Sequence, residues 1–171
     1  VVMTSYAGDE AKDCKLMLFV DAGFAGDLTD SNSTSGCYLC LVGPRTFVPI
    51  TWLCKKQGAV SHSSTEAEII TLEGGIRMDG IPAIMLFERI MQVMYDKSPK
   101  VHPVRKHQEN DMYNIFENVD HVPKTCSPPT DLARMIVFED NDAVIKIIKK
   151  ERTDKLRHCP RTHRINLDLL F

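Results

Sequence analysis

The chain has 171 residues, and its hydrophobic fraction of 43% is enough for one globular domain with an apolar core. Its formal net charge of -2 argues against a protein that coats nucleic acid through bulk electrostatics, so any nucleic-acid contact has to be local. No apolar run is long enough to span a bilayer, and the first residues lack the features of a secretory signal. We therefore expect a soluble intracellular protein with reduced thiols.

Three strands are predicted in the first third of the chain. Residues 15–21 form a nearly continuous apolar run, which predicts a central strand covered on both sides. Glycines and a polar turn separate it from a second predicted strand at 36–42. After Gly43-Pro44, residues 46–53 are rich in β-branched and aromatic side chains and predict a third strand. The short connections predict an antiparallel meander.

Two helices are predicted next. Apolar residues recur at helical spacing through 64–78 and again through 81–95. The candidate N-caps of the first helix are Ser63, Ser64 and Thr65. The residues expected to weaken or break the helix between the two segments are Gly74, Gly75, Gly80 and Pro82.

The second half of the chain predicts one more strand and helix after a long connection. Residues 96–131 contain five prolines among polar residues, which predicts a long insertion within a single domain spanning 1–171. Residues 134–138 predict a short strand, and 141–150 an amphipathic helix. A crossover through helices predicts that this fourth strand lies parallel to the first. The fold class is α/β, with a mixed sheet flanked by helices.

Three acids stand at the ends of predicted elements. Asp21 closes the first strand, Glu68 lies in the first turn of the first helix, and Asp140 follows the fourth strand. Neighbouring strands would place Asp21 and Asp140 side by side, with Glu68 pointing between them. Such a carboxylate cluster suits Mg²⁺, and two such ions can promote an in-line phosphodiester displacement. The pattern therefore predicts a metal-dependent nuclease site.

Each acid also has an interpretation without chemistry. Asp21 could be a turn residue, and Asp140 could be the N-cap of the following helix. Glu66 and Glu68 could each be the third residue of a capping box. Periodicity does not choose between the two glutamates, because they flank the apolar stripe at similar angles.

The cysteines, histidines and basic residues give weaker signals. Cys37 and Cys40 lie three apart on a predicted strand, which favours core thiols over a zinc site. A second candidate zinc set, in the Pro-rich segment and without finger-like spacing, is His102, His107, His121 and Cys126. The basic residues form a small spot at Lys55 and Lys56 and a denser C-terminal cluster that could equally be a solvated helix face. That cluster is Lys146, Lys149, Lys150, Arg152, Lys155, Arg157, Arg161 and Arg164.

Several motifs recur in a characteristic order along the chain. They are Asp21-Ala22-Gly23-Phe24-Ala25-Gly26-Asp27, Ser33-Thr34-Ser35-Gly36, Trp52 with Lys55-Lys56-Gln57, Ser63-Ser64-Thr65-Glu66-Ala67-Glu68, Glu139-Asp140-Asn141 and Arg161-Thr162-His163. Over roughly residues 15–171, this series closely resembles the ribonuclease H domain of copia-type (Pseudoviridae-like) LTR retrotransposon polyproteins. Each motif alone is weak, and the order makes the resemblance specific.

The resemblance implies a ribonuclease H-like fold and hydrolysis of the RNA strand of an RNA/DNA hybrid during reverse transcription. It implies that Asp21, Glu68 and Asp140 are catalytic and bind two Mg²⁺ or Mn²⁺ ions, and that Glu66 keeps a capping role. It further implies partners, namely the hybrid and the reverse-transcriptase domain of the same polyprotein, and a cytoplasmic location or a virus-like particle. No membrane partner is expected. The substrate-binding candidates are Ser63, Ser64 and Thr65 for the 2′-OH, and Lys55, Lys56, Arg161 and Arg164 for phosphates.

The chain also departs from the family pattern. Gly23 stands where copia-type domains often have a second aspartate, and the 96–131 connection is longer than in many members. The family's final strand and helix, which carry a fourth carboxylate, are expected to be missing, and neither Asn166 nor Asp168 is assigned that role. The alternative function is therefore a catalytically impaired ribonuclease H-like module that binds hybrid or a reverse-transcriptase partner.

Overall fold

The computed structural model describes residues 3–26, 29–95, 132–150, 156 and 158–170. The strands are β1 (Lys15–Gly23), β2 (Thr34–Gly43), β3 (Thr46–Lys56) and β4 (Met135–Phe138). The helices are α1 (Ser64–Gly75), α2 (Ile81–Tyr95), α3 (Asp142–Lys149) and the short α4 (Cys159–Thr162). A π-helical turn (Ile76–Gly80) joins α1 to α2, and single 3-10 turns lie at Ala11–Asp13 and Leu167–Leu169. The elements predicted in these parts of the chain are therefore present.

The four strands form one mixed sheet in the order β3-β2-β1-β4. The first three pair antiparallel, with Leu18 opposite Leu39 in the β1–β2 register. β4 pairs parallel to β1, with Leu18 also opposite Val137. The predicted meander and the predicted parallel fourth strand are both confirmed. The sheet thus brings the carboxyl ends of β1 and β4 to one edge, where Asp21 and Asp140 lie.

Helices cover only one face of this sheet in the described residues. Leu16, Leu18 and Val20 of β1 are buried beneath α1, whereas Phe19 between them is 39% exposed. The expectation of a strand covered on both sides is wrong for this part of the chain. The outward positions of β1 are apolar because they pack along the sheet, as in the Phe19–Phe138 stack at 4.6 Å.

The glycines were expected to weaken or break the helix, and the α-helical pattern is interrupted between α1 and α2, where residues Ile76–Gly80 form a π-helical turn. The backbone continues through the π-helical turn, where the N–H of Ile81 bonds to the carbonyl of Ile76. This hydrogen bond joins residues five apart, whereas those of an α-helix join residues four apart. The change comes just before Pro82, which has no N–H to donate. Gly75 serves close packing, because an added Cβ would lie 2.8 Å from Cys37 Sγ. The glycine is therefore a contact point with the sheet.

The structure also settles the N-cap of α3 and the environment of two cysteines. The Oδ1 atom of Asn141 accepts the N–H groups of Ala143 and Val144 at 3.0 and 3.3 Å, so Asn141 is the N-cap of α3. Asp140 is therefore free of the capping role that was its alternative. Cys37 and Cys40 are both buried free thiols, as expected for core cysteines.

Several sequence predictions lie outside the described residues. These are the 96–131 insertion, the zinc candidates His102, His107, His121 and Cys126, and the basic residues Arg152, Lys155 and Arg157. Among the helices that the structure does describe, none is both long enough and apolar enough for a membrane span.

Candidate functional site

The strand edge and the start of α1 bring three acids together. Phe19 and Phe138 form the last β1–β4 pair, and Asp21 and Asp140 each follow that pair by two residues. Glu68 reaches the same point from α1. One carboxylate oxygen from each of the three lies within 4.8 Å of the others. Asp21 and Asp140 are exposed and Glu68 is buried, so the cluster opens to solvent on one side.

The environment of Glu68 disfavours its charged form. Burial raises the pKa of Glu68 to about 7, helped by the negative charges of Glu139, Asp21 and Asp140 and opposed by a hydrogen bond with the backbone of Ala22. Its Oε2 atom is buried and has no hydrogen-bond partner within the described parts of the chain. A buried carboxylate oxygen without a donor, facing other carboxylates, is a position that a cation would stabilise.

Glu139 is a fourth carboxyl that influences the cluster. Burial raises its pKa, and the charges of Asp140 and Asp21 act in the same direction against a hydrogen bond from the backbone of Asn141. That N–H donates to Oε1 at 3.1 Å, while Oε2 is buried and unpartnered among the described residues. The sequence motif contained Glu139 but assigned it no role. The only available signal was its position next to Asp140.

The donor set fits a hard divalent cation. All the converging atoms are carboxylate oxygens, which Mg²⁺ and Mn²⁺ prefer over nitrogen or sulfur. The orphaned Oε2 of Glu68 and the mutual repulsion of the acids show that the described part of the chain does not by itself satisfy these groups. Asp21, Glu68 and Asp140 can therefore hold divalent metal, with Glu139 as a nearby source of negative charge.

The hydroxyl residues at the start of α1 have different environments. Ser63 is the N-cap, and its Oγ accepts the N–H of Glu66 at 3.1 Å. As an acceptor there, the hydroxyl keeps its own hydrogen for a further bond. Ser63 and Ser64 are exposed, and Thr65 is half-buried. Ser63 and Ser64 therefore stand on the solvent side of the helix start, five and four residues before Glu68.

The basic candidates lie on separate elements. Lys55 and Lys56 pair with Ser35 and Thr34 of β2, which pair in turn with Ala22 and Gly23 of β1. They thus end β3 one and two residues beyond the row that contains Asp21, and two strands away, about 10 Å across the sheet. Lys56 Nζ lies 2.6 Å from the carboxylate of Asp30. Arg161 lies in α4 and is exposed.

A cleft of ≈150 Å³ lies beside these lysines and away from the acids. Its polar lining includes Lys55, Arg77 and the buried Glu73. Glu73 Oε1 accepts from Arg77 Nε at 2.9 Å and from the backbone N–H of Asn166 at 3.3 Å. Asn166 Oδ1 accepts the N–H of Asp168, so this pair belongs to a local turn. Neither residue belongs to the three-acid group.

A second cluster surrounds Glu66. Burial alone would raise the pKa of Glu66, but the N–H of His62 and the rings of His158 and His163 lower it overall. His158 Nε2 and His163 Nε2 lie 3.0 and 2.9 Å from Glu66 Oε1, and Cys159 Sγ lies 3.7 Å from the same oxygen. Sequence reasoning assigned Glu66 only a capping role. The cluster was missed because His158 follows Glu66 by 92 positions, and only the i,i+4 spacing of His62 and Glu66 hinted at it.

The family resemblance finds no independent support in comparisons with known proteins. No protein-family model, no curated protein and no solved structure matches this chain. The function of the chain must therefore be argued from its motifs and from the geometry of its two side-chain clusters.

Proposed function

We propose that the chain is a metal-dependent endoribonuclease that hydrolyses the RNA strand of RNA/DNA hybrids by a two-metal-ion mechanism. Its setting would be the reverse transcription of a copia-type LTR retrotransposon, with the reverse-transcriptase domain of the same polyprotein as partner. The observation that carries this proposal is the convergence of Asp21, Glu68 and Asp140 within 4.8 Å at one edge of a mixed β3-β2-β1-β4 sheet.

The three acids would act by holding divalent cations against the scissile phosphate. Mg²⁺ or Mn²⁺ bound there would supply Lewis-acid chemistry for an in-line displacement at phosphorus. Asp21 and Asp140 are exposed and face the substrate side, whereas buried Glu68 anchors the site from within. Asp21 lies in β1 and Glu68 in α1, and Asp140 lies only two residues beyond β4, which favours precise positioning.

Two further features suit a hybrid substrate. The Ser63 hydroxyl keeps a donor hydrogen while capping α1, and the exposed Ser64 lies next to it, so both can contact a 2′-OH that DNA lacks. Lys55 and Lys56, about 10 Å across the sheet, suit phosphates of the other strand. Contacts to sugar and phosphate would make cleavage independent of sequence. Arg161 is a third candidate for phosphate binding.

The test is cleavage of a hybrid labelled on its RNA strand, in Mg²⁺ and in Mn²⁺, with EDTA as the metal-free arm. The wild-type chain should cut the hybrid, and the double variant Asp21→Asn with Asp140→Asn should lose cleavage by more than about a hundredfold. Asp168→Asn is the matched control, because Asp168 is exposed and lies outside the three-acid group. This control should cleave at the wild-type rate.

Substrate choice is tested in the same assay. Hybrid, duplex DNA and duplex RNA offered in parallel should give cleavage of the hybrid alone. Cleavage that persists in the double variant would refute the assignment of the acids. Preferential cutting of duplex DNA would indicate a different nuclease.

The second candidate is a binding module without turnover. Among the described residues, the metal-competent group contains only three acids, and Glu139 already uses one oxygen for the backbone of Asn141. A calorimetric titration with Mn²⁺ in the presence of hybrid separates the two functions. Hybrid binding without cleavage and without metal uptake would establish the module and overturn the nuclease.

A further inference from the structure

The cluster around Glu66 combines nitrogen, sulfur and oxygen donors. One ligand atom from each of His62, Glu66 and His158 lies within 4.8 Å of the others. His62 Nδ1 is 3.3 Å from Glu66 Oε2, and His158 Nε2 is 3.0 Å from Glu66 Oε1. Cys159 Sγ lies 3.8 Å from His158 Nε2. This chemistry differs from that of the oxygen-only cluster at Asp21, and it suits borderline metals such as zinc.

Four of the distances within this cluster are close to those of a tetrahedral zinc site. Zinc–ligand bond lengths place neighbouring nitrogen and oxygen ligands about 3.3 Å apart, and pairs that include sulfur about 3.6 Å apart. Four observed distances depart from these values by no more than a few tenths of an ångström. They are the distances from Glu66 to His62 and to His158, and those from Cys159 to Glu66 and to His158. The group of ligand atoms within 4.8 Å contains His62, Glu66 and His158 but not Cys159, and His62 and His158 contact different oxygens of Glu66. His62 and Cys159 therefore have to move closer together for all four residues to surround one ion.

We propose that His62, Glu66, His158 and Cys159 bind one Zn²⁺ ion as a closed, structural four-ligand site. The thiol of Cys159 releases its proton to solvent on binding, and the two imidazoles bind as neutral rings. The carboxylate and the thiolate then balance the charge of the ion. This proposal rests on the His, Cys and Glu geometry alone and is independent of the proposed nuclease activity.

His163 is a positioning residue in this site. Its side chain is buried, and its Nε2 lies 2.9 Å from Glu66 Oε1. The ring fixes the orientation of the carboxylate, which is the usual arrangement for residues that support metal ligands. The N–H of His62 also donates to Glu66 Oε2 at 2.9 Å. Both oxygens of Glu66 are thus oriented by protein groups before an ion binds.

The site would fasten the C-terminal segment to the start of α1. His158, Cys159 and His163 belong to α4 and its flanks, whereas His62 and Glu66 flank the N-cap of α1. Because α4 has only four residues, its own hydrogen bonds contribute little stability. A zinc ion bridging the two segments would hold them together, as structural zinc sites do in small domains.

The experiment uses the full chain stripped of metal with EDTA and then titrated with Zn²⁺ or Co²⁺ alone. One ion per chain should bind, and Co²⁺ should give tetrahedral visible bands together with a near-ultraviolet thiolate-to-cobalt band. Cys159→Ser should lose the thiolate band, while the matched control Cys54→Ser, at an exposed cysteine of β3, should keep it. Zn²⁺ should also raise the melting temperature of the wild type.

His62→Ala tests metal binding in a variant that is expected to fold. The His62 side chain is 73% exposed, so its removal leaves the core intact. This variant should lose at least about tenfold in Zn²⁺ affinity, and His158→Ala about a hundredfold. The double variant Asp21→Asn with Asp140→Asn should bind Zn²⁺ like the wild type, which separates this site from the acid cluster.

Three results would overturn the proposal. They are absence of stoichiometric Zn²⁺ binding, a wild-type cobalt spectrum without the thiolate band, and unchanged Zn²⁺ affinity in both His62→Ala and His158→Ala. The first would show that Glu66 and its neighbours form only a hydrogen-bonded network. The last would place the ion elsewhere in the chain.

Discussion

Two glutamates in the first turns of α1 have opposite electrostatic environments. Glu66 and Glu68 are both buried, yet the pKa of Glu66 is lowered and that of Glu68 is raised to about 7. Burial raises both pKa values. The outcome differs because Glu66 meets a backbone N–H and imidazole rings, whereas Glu68 faces other carboxylates. Glu68 therefore destabilises the metal-free fold when it is ionised.

The pH dependence of stability should reveal the destabilising effect of ionised Glu68. Between the ordinary value of 4.5 and the folded value of about 7, the folded chain holds a proton that the unfolded chain has released, so stability falls as pH rises. In EDTA at about pH 8, the free energy of unfolding of Glu68→Gln should exceed that of the wild type by a value on the order of 2 kcal/mol. This difference should disappear at about pH 4, where Glu68 is protonated in both the folded and the unfolded chain. Urea unfolding at the two pH values measures this.

Glu66→Gln provides the control of opposite sign. Its lowered pKa means that ionised Glu66 stabilises the fold above its ordinary pKa, so the substitution should destabilise at neutral pH. A Glu68→Gln gap that stays the same at both pH values would contradict the argument. It would mean that the effect of Glu68 is steric and does not arise from its charge.

At the scale of elements, the long helical segment is shaped by contacts with the sheet. Gly74 and Gly75 were expected to weaken the helix, and local propensity alone supports that expectation. Packing overrides propensity because α1 lies so close to β1 and β2 that a Cβ at Gly75 would meet Cys37 Sγ at 2.8 Å and Val20 Cγ1 at 3.2 Å. A Cβ at Gly74 would meet nothing within 4 Å.

Adjacent alanine substitutions should therefore act in opposite directions. Gly75→Ala should lower the free energy of unfolding by about 1–3 kcal/mol, because the methyl group forces α1 away from the sheet. Gly74→Ala should raise it by up to about 1 kcal/mol through helix propensity. Urea midpoints of both variants at one pH give the comparison. Stabilisation by both substitutions would show that α1 is not held as closely as the geometry indicates.

At the scale of the whole molecule, the sheet has one covered face and one face that the described residues leave open. The exposed face carries the Phe19–Phe138 stack and Trp52, which is 64% exposed. Trp52 is the only tryptophan in the chain, so it reports on this face without interference. The open face carries exposed apolar side chains on β1 and β3, which is unusual for the face of a sheet in contact with water.

Tryptophan fluorescence should confirm that this face is open in solution. The emission of the folded chain should resemble that of an exposed indole and should be quenched by acrylamide almost as efficiently as in the urea-unfolded chain. Trp52→Phe supplies the blank, because it removes the only indole. Strong protection of the folded chain from the quencher would contradict the description and show that another segment or a second molecule covers β3.

The sequence by itself determined the strands, the helices and the parallel return of β4, because hydrophobic period and turn residues are local signals. It also pointed to Asp21 and Asp140 through their positions at the ends of predicted strands, whereas the family resemblance, and not the periodicity, selected Glu68 over Glu66. The tertiary structure decided which face of the sheet is covered and why Gly75 is a glycine. It also decided that Glu139 acts on Glu68 and that His158 and Cys159 join Glu66. These depend on contacts between residues far apart in the chain, which no local pattern encodes.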